Sequence, residues 1–139
     1  EVLGAFLARH LAKNTLFAVN SDKNINVITP EYDSNGQLLF RDNLVPMVTD
    51  RNVLILISTV NSGKSIRRVV ECAQYYGGKV QGIAAVFSTL EEMEGVPIYS
   101  LFTPEDIPGY ATYSPENCAM CRAGERINAL ANSYGLSAL

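Results

Sequence analysis

The hydrophobic pattern of the first forty residues predicts a helix, a strand and a β-ribbon. Apolar side chains recur at helical spacing at the start of the chain, which predicts an amphipathic helix ended by Asn14: Val2, Leu3, Phe6, Leu7 and Leu11. Residues 15–19 form a short apolar run that predicts a buried strand. Asn35-Gly36 lies between two β-prone segments, and both residues accept positive φ. We therefore predict an exposed β-ribbon over residues 25–41.

The middle of the chain predicts a strand, a helix and a second strand. Residues 53–57 are an unbroken apolar run, as expected of a central parallel strand that is buried on both faces. A polar loop over residues 58–65 leads into a helix with one apolar face, and Gly77-Gly78 ends that helix. Residues 80–87 are the next strand. In such a β-loop-α-β unit the crossover is right-handed, and the loop lies at the carboxyl edge of the sheet.

The remaining residues predict an edge strand and a loop-rich tail. Residues 96–102 have strand character, and Pro97 places that strand near an edge. We interpret Glu91, Glu92 and Glu94 as a solvated helix face, and we predict a short helix over residues 125–133. The expected fold is α/β, a mainly parallel sheet flanked by helices, with the ligand site at the strand ends and an exposed β-hairpin over it. We expect one domain over residues 1–139, and the start at Glu1 inside a helix predicts further upstream residues.

Composition and charge exclude several classes of function. The chain has 139 residues and is 47% apolar, but no apolar run reaches the ~18–20 residues of a membrane span. The net charge of −3 argues against nucleic-acid binding, so we expect neither nucleic acid nor membrane as a partner. The three cysteines are too few for a disulfide scaffold, and an odd count without a secretory leader indicates a reduced, cytoplasmic protein.

The loop after the central strand is the strongest candidate site. Backbone N–H groups at a strand-to-helix junction favour anions, a glycine allows close approach, and hydroxyl, amide and ammonium groups add hydrogen bonds. The predicted phosphate-binding residues are Ser58, Thr59, Asn61, Ser62, Gly63, Lys64 and Ser65. Alternatively, Ser62 caps the helix and Gly63 makes the turn. A nucleotide-triphosphate P-loop is disfavoured, because the first glycine of that motif is replaced by Ser58.

The spacing of Cys118 and Cys121 permits three interpretations. It is that of half a zinc site or of a redox pair. Zinc needs four ligands, however, and Cys72 and His10 are distant in sequence. Two ordinary reduced thiols are the interpretation we favour, and no residue is assigned to a metal.

The chain resembles the type I phosphoribosyltransferases, and the orotate phosphoribosyltransferases in particular. Residues 53–66 have the layout of that family's strand and phosphate loop, with Asn61-Ser62-Gly63-Lys64-Ser65 at the loop. Residues 76–86 look like the helix end and following strand, and residues 95–102 look like the segment beside the base pocket. The resemblance covers roughly residues 1–103.

The resemblance implies a glycosyltransferase of nucleotide metabolism and pyrimidine biosynthesis. Such a phosphoribosyltransferase is a homodimer that moves the phosphoribosyl group of phosphoribosyl pyrophosphate (PRPP) to a purine or pyrimidine base such as orotate. Mg²⁺ is the implied cofactor, since it bridges the pyrophosphate and the ribose hydroxyls.

Two features depart from the family pattern. Ile57 and Ser58 stand where the family has an acidic pair that binds the ribose hydroxyls, and Lys23 and Arg41 are the only bases in residues 20–41, where the family has its catalytic loop. No catalytic residue is therefore assigned, and we expect weak or absent turnover. The alternative is a non-catalytic phosphate- or nucleotide-binding regulatory protein on the same fold.

Overall fold

The computed structural model describes residues 2–13, 25–132 and 134–139, and these form two compact units. The first unit covers residues 1–106 and the second covers residues 107–139. The predicted strand at residues 15–19 lies outside the described residues. No helix among the described residues is both long and apolar enough to cross a membrane.

The first unit begins with the predicted helix and hairpin. Helix α1 runs Val2–Lys13, which confirms the helical periodicity. Strands β1 (Glu31–Tyr32) and β2 (Leu38–Leu39) pair antiparallel around the Asn35-Gly36 turn. The ribbon is shorter than predicted, because residues 25–30 are not part of a strand.

A four-stranded sheet with one crossover helix forms the centre of this unit. Its elements are β3 (Asn52–Val60), α2 (Lys64–Tyr75), β4 (Lys79–Ser88), β5 (Glu92–Met93) and β6 (Val96–Phe102). The strand order is β3-β4-β6-β5. Strands β3, β4 and β6 are parallel, and only the short β5 is antiparallel. The predicted β-α-β unit and the near-edge position of the strand at residues 96–102 are therefore confirmed. The prediction of a central strand buried on both faces at residues 53–57 is wrong for the described residues, because β3 lies at one edge of the sheet and Leu54 and Leu56 are exposed.

The core lies between one face of the sheet and helix α2. Ile55, Ile83 and Ile98 point from the three parallel strands towards Ile66 and Val70 of the helix. All five side chains are buried, with 8% exposure or less. Successive side chains of a strand point to opposite faces of the sheet. The face away from helix α2 carries Leu54, Leu56, Tyr99 and Leu101, which are exposed among the described residues.

The hairpin packs at the far end of helix α2 from the polar loop. The thiol of Cys72 lies 3.5 Å from the Leu38 carbonyl oxygen, and the rings of Phe40 and Tyr76 meet edge to face. Phe40, Val48 and Cys72 form a second buried cluster there. The prediction that the hairpin lies over the ligand site is wrong, since its apolar residues Leu38 and Phe40 pack against the C-terminal half of α2.

Glu91, Glu92 and Glu94 do not form a helix face. Glu92 belongs to β5, and Glu94 and Gly95 both have positive φ (53° and 79°). Two consecutive positive-φ residues make the tight loop that joins antiparallel strands, here β5 and β6.

The second unit contains a one-turn helix and a hairpin. Helix α3 runs Ala119–Arg122, and strands β7 (Ala129–Asn132) and β8 (Gly135–Ala138) pair antiparallel. The predicted helix over residues 125–133 is wrong. Leu130 is 54% exposed and Leu136 is 76% exposed, so no buried helical face organises this segment.

Candidate functional site

The polar loop lies at the carboxyl edge of the parallel sheet. Strand β3 ends at Val60, helix α2 begins at Lys64, and the loop between them is only three residues long. Gly63 has a φ of 79° and occupies the position just before the helix. This left-handed conformation suits glycine, and it turns the chain from the strand into the helix.

The loop encloses a concavity of about 110 Å³. It is lined by Thr59, Val60, Asn61, Ser62, Gly63, Lys64, Ser65 and Ile66. Six of the seven predicted phosphate-binding residues are thus brought together. Ser58 is exposed on β3 and is not among the lining residues. Phosphate binding at this concavity stays a prediction.

The first turn of α2 receives no side-chain cap. Gly63, which precedes the helix, has no side chain to offer, and no acidic residue lies in the first turn. The side chains of Asn61, Ser62 and Ser65 make no hydrogen bond to the part of the chain that the structure describes. The loop therefore presents helix N–H groups and uncommitted polar side chains, which is the arrangement of an anion site.

Charge at the loop is positive. Lys64 is exposed at the start of α2, where the helix dipole adds partial positive charge. One turn later, the Arg67 guanidinium lies 3.2 Å from the Glu94 carboxylate and is thereby partly neutralised. Among the described residues that line the concavity, Lys64 is the only charged one.

Residues after β4 hold the loop in place, and sequence reasoning missed them. The Thr89 hydroxyl donates to the Asn61 carbonyl oxygen at 2.7 Å, and the Thr89 N–H donates to the Val60 carbonyl oxygen at 3.0 Å. The Ser88 hydroxyl donates to the Leu90 carbonyl oxygen at 2.6 Å and shapes that turn. A signal existed, because Ser88-Thr89 ends the neighbouring parallel strand and must reach the same sheet edge.

No carboxylate stands at Ile57 and Ser58, the two positions where the phosphoribosyltransferase pattern has an acidic pair. Ile57 is half-buried and packs against the main core, and Ser58 is exposed. Among the described residues, no three His, Cys, Asp or Glu side chains are grouped as metal ligands. Mg²⁺ binds through carboxylates and other hard oxygens, so this donor set does not fit a protein-held magnesium ion.

Three curated orotate phosphoribosyltransferases are similar to this chain. An enzyme of Thermus thermophilus is 30% identical over 125 residues, 88% of this chain and 59% of that protein. That of Carboxydothermus hydrogenoformans is 32% identical over 91 residues, 64% of this chain and 45% of the relative. That of Caldicellulosiruptor bescii is 31% identical over 74 residues, 52% and 37% of the two chains.

The similarity covers only part of each relative. The chain spans less than two thirds of the length of each of these relatives. No family model matches the chain. The comparisons therefore support a phosphoribosyltransferase-like protein at the level of the family and leave the substrate open.

Proposed function

We propose that the chain is part of a phosphoribosyltransferase of the orotate type, and that the loop Asn61–Ser65 binds the 5′-phosphate of PRPP. The observation that carries the proposal is the concavity between β3 and α2, with its uncapped helix start and uncommitted polar side chains. Similarity to three orotate phosphoribosyltransferases supports the same function.

The geometry matches the chemistry of a phosphate monoester. The terminal phosphate oxygens accept hydrogen bonds, and helix N–H groups and hydroxyls donate them. Lys64 contributes a positive charge beside these donors. A concavity of about 110 Å³ suits a group of phosphate size better than a whole nucleotide.

In the proposed reaction, a ring nitrogen of the base forms a bond to the anomeric carbon of PRPP while the bond to the pyrophosphate oxygen breaks. The role of the loop is to hold the phosphate end, which orients the ribose for this displacement. The donor set does not form a protein-held Mg²⁺ site, and 5′-phosphate binding does not depend on that ion. The base, orotate or another pyrimidine or purine, is chosen outside this loop.

A second candidate function is phosphate or nucleotide binding without efficient turnover. Ile57 favours it, because this apolar side chain packs into the core where the family has a ribose-binding carboxylate. A regulatory protein would keep the phosphate loop and lose only the groups that stabilise the reacting ribose.

Calorimetric titration with ribose 5-phosphate tests the phosphate site. Lys64→Ala removes the charge at the concavity, whereas Lys79→Ala removes an exposed lysine that pairs with Asp50 at 3.5 Å, at the opposite end of the sheet. A charge-assisted hydrogen bond contributes about 1.5–3 kcal/mol. We therefore expect roughly ten- to hundredfold weaker binding for Lys64→Ala and unchanged binding for Lys79→Ala.

Failure of the unmodified chain to bind ribose 5-phosphate, or equal losses in both lysine variants, would contradict the assignment. If PRPP binds but no base consumes it, the non-catalytic candidate is supported instead. Sedimentation analysis of the same protein checks the homodimer that the resemblance implies.

A further inference from the structure

Two cysteines share one turn in the second unit, and neither lines the phosphate concavity. Cys118 directly precedes helix α3, and Cys121 lies in its first turn. The Arg122 N–H donates to the Cys118 carbonyl oxygen at 3.1 Å, and the Ala123 N–H donates to the Ala119 carbonyl oxygen at 3.0 Å. These bonds form one helical turn, and Cys118, whose backbone is extended (φ −66°, ψ 115°), occupies its N-terminal cap position.

The Cys118 thiol contacts the backbone of Cys121. The Cys121 N–H donates to the Cys118 Sγ at 3.4 Å. This bond, followed by a hydrogen bond from the Cys121 thiol, lowers the pKa of Cys118, and the same partnership raises the pKa of Cys121. Both cysteines are free, Cys118 is half-exposed and Cys121 is exposed. The pair is therefore accessible, and its members are chemically unequal.

The third cysteine is a natural contrast. Cys72 is buried in the cluster with Phe40 and Val48, and burial raises the pKa of its thiol. Its Sγ lies 3.5 Å from the Leu38 carbonyl oxygen. A buried thiol of this kind is chemically inert compared with an accessible thiolate.

We propose that Cys118 and Cys121 are a redox-active dithiol that exchanges with small-molecule disulfides, with Cys118 as the attacking sulfur. The Cys118 thiolate attacks one sulfur of the small disulfide, a mixed disulfide forms, and one small thiolate leaves. Cys121 then loses its proton to that thiolate and attacks the Cys118 sulfur, which expels the second small thiolate. The second small thiolate takes up the proton that Cys118 released when it ionised. The protein thus loses two electrons and two protons, and the small disulfide becomes two thiols.

The exposure of the pair favours a reversible bond. Cys118 has an extended backbone (φ −66°, ψ 115°) just before α3, and its Sγ lies over the first turn of the helix, where it accepts from the Cys121 N–H. Exposed disulfides are among the readily reduced ones.

Intact-mass spectrometry of the full chain tests the proposal, with oxidised glutathione as the probe under anaerobic conditions. The reduced protein and Cys72→Ala should each lose two hydrogen atoms and retain no glutathionyl group. Cys121→Ser should stop at the mixed disulfide and retain one glutathionyl group on Cys118. Cys118→Ser should react several-fold more slowly than Cys121→Ser.

Peptide mapping after alkylation of the reduced and oxidised protein locates the bond without relying on any variant. A Cys118–Cys121 linkage with Cys72 still alkylated after unfolding supports the proposal. Mixed disulfides that persist in the unmodified chain, or equal rates in the two serine variants, would overturn it. So would stoichiometric zinc in the purified protein that is lost in both serine variants, since the pair would then be a metal ligand.

Discussion

Gly63 shows how a single residue fixes the shape of the candidate site. Its φ of 79° suits glycine, and an ideal Cβ there would lie 2.5 Å from the Met93 methyl carbon and 3.2 Å from Leu90 Cδ1. By contrast, Gly36 has a similar φ of 76° but open space around it. The positive φ is therefore what requires glycine at position 63, because the ends of the flexible Met93 and Leu90 side chains can shift away from a Cβ.

Thr89 is expected to position the loop through its hydroxyl. Thr89→Val removes the 2.7 Å hydrogen bond to the Asn61 carbonyl oxygen and keeps the size of the side chain. We expect a loss of about 1 kcal/mol in the free energy of unfolding, together with weaker ribose 5-phosphate binding. Urea denaturation and calorimetry measure the two effects. Thr89→Ser retains the hydroxyl and is the control, so equal behaviour of the two variants would contradict this role.

At the residue scale, the sequence predicts which residues form the loop, but it does not predict which residues hold the loop in place. Hydroxylic residues and Gly63 are adjacent in sequence, and six of the predicted residues do line one concavity. The Thr89–Asn61 hydrogen bond spans 28 positions of the chain, and it depends on which strands are neighbours. Local pattern does not encode that pairing.

Strand β6 has one face buried in the core and one face exposed. Ile98 is 8% exposed and belongs to the main core, whereas Leu101 is 75% exposed on the opposite face. Ile98→Ala should lower the free energy of unfolding by about 2–5 kcal/mol through the lost burial and the cavity left behind. Leu101→Ala should change it by about 0.5 kcal/mol or less. Similar losses in chemical denaturation would show that the exposed face is covered in solution.

The hairpin β1–β2 has a pH-sensitive ion pair. Glu31 accepts two hydrogen bonds from Arg41, at 2.8 and 2.7 Å, and this pairing lowers the pKa of Glu31 below its ordinary value of 4.5. A lowered carboxyl pKa contributes stability that is fully present above pH 4.5 and is lost as the pH falls through the lowered value. Both side chains are exposed, so solvent and salt keep this contribution small.

NMR titration of the Glu31 carboxyl group measures this effect directly. Arg41→Gln should return the pKa of Glu31 towards 4.5, and high salt should shift it in the same direction in the unmodified chain. An unchanged titration in Arg41→Gln would show that the pair does not form in solution.

Several of the elements predicted correctly have a buried face. Strands β3, β4 and β6 are rich in apolar residues and helix α2 repeats them at helical spacing, because one sheet face and the helix share a core. Residues 125–133 were predicted as a helix, but Ala129–Asn132 pair with Gly135–Ala138 in a hairpin that lacks a buried face. Glu94-Gly95 was missed because a turn with two positive φ values is expected at Asn-Gly rather than at Glu-Gly.

At the scale of the whole molecule, each unit contains its own candidate chemistry. The phosphate concavity and its support from Thr89 lie within residues 1–106, and the dithiol lies within residues 107–139. Sequence composition shows no boundary between the units, and one domain over residues 1–139 stays a prediction. The parallel topology was predictable because a crossover helix joins strands that run in the same direction.

Turnover is the property of the whole molecule on which the family resemblance and the residues disagree. A ribose hydroxyl bonded to a carboxylate gains about 1.5–3 kcal/mol, against about 0.5–1.5 kcal/mol for a neutral acceptor. With Ile57 packed in the core and Ser58 neutral, we expect phosphoribosyl transfer to orotate to be slower by roughly two to three powers of ten than with an acidic pair. Orotate consumption by the purified protein measures this.

Replacing the two residues tests the physical reason for slow transfer. Ile57→Glu with Ser58→Asp should raise PRPP affinity and transfer, while the matched neutral pair Ile57→Gln with Ser58→Asn should not. Both double variants lose the packing of Ile57 against the core, so both should unfold at lower urea concentration. Because the loss of stability is common to both, a difference in PRPP affinity or transfer between them reports the effect of the negative charge. Unmodified protein that already turns over at about 1–1,000 per second would show that the acidic pair is dispensable in this chain.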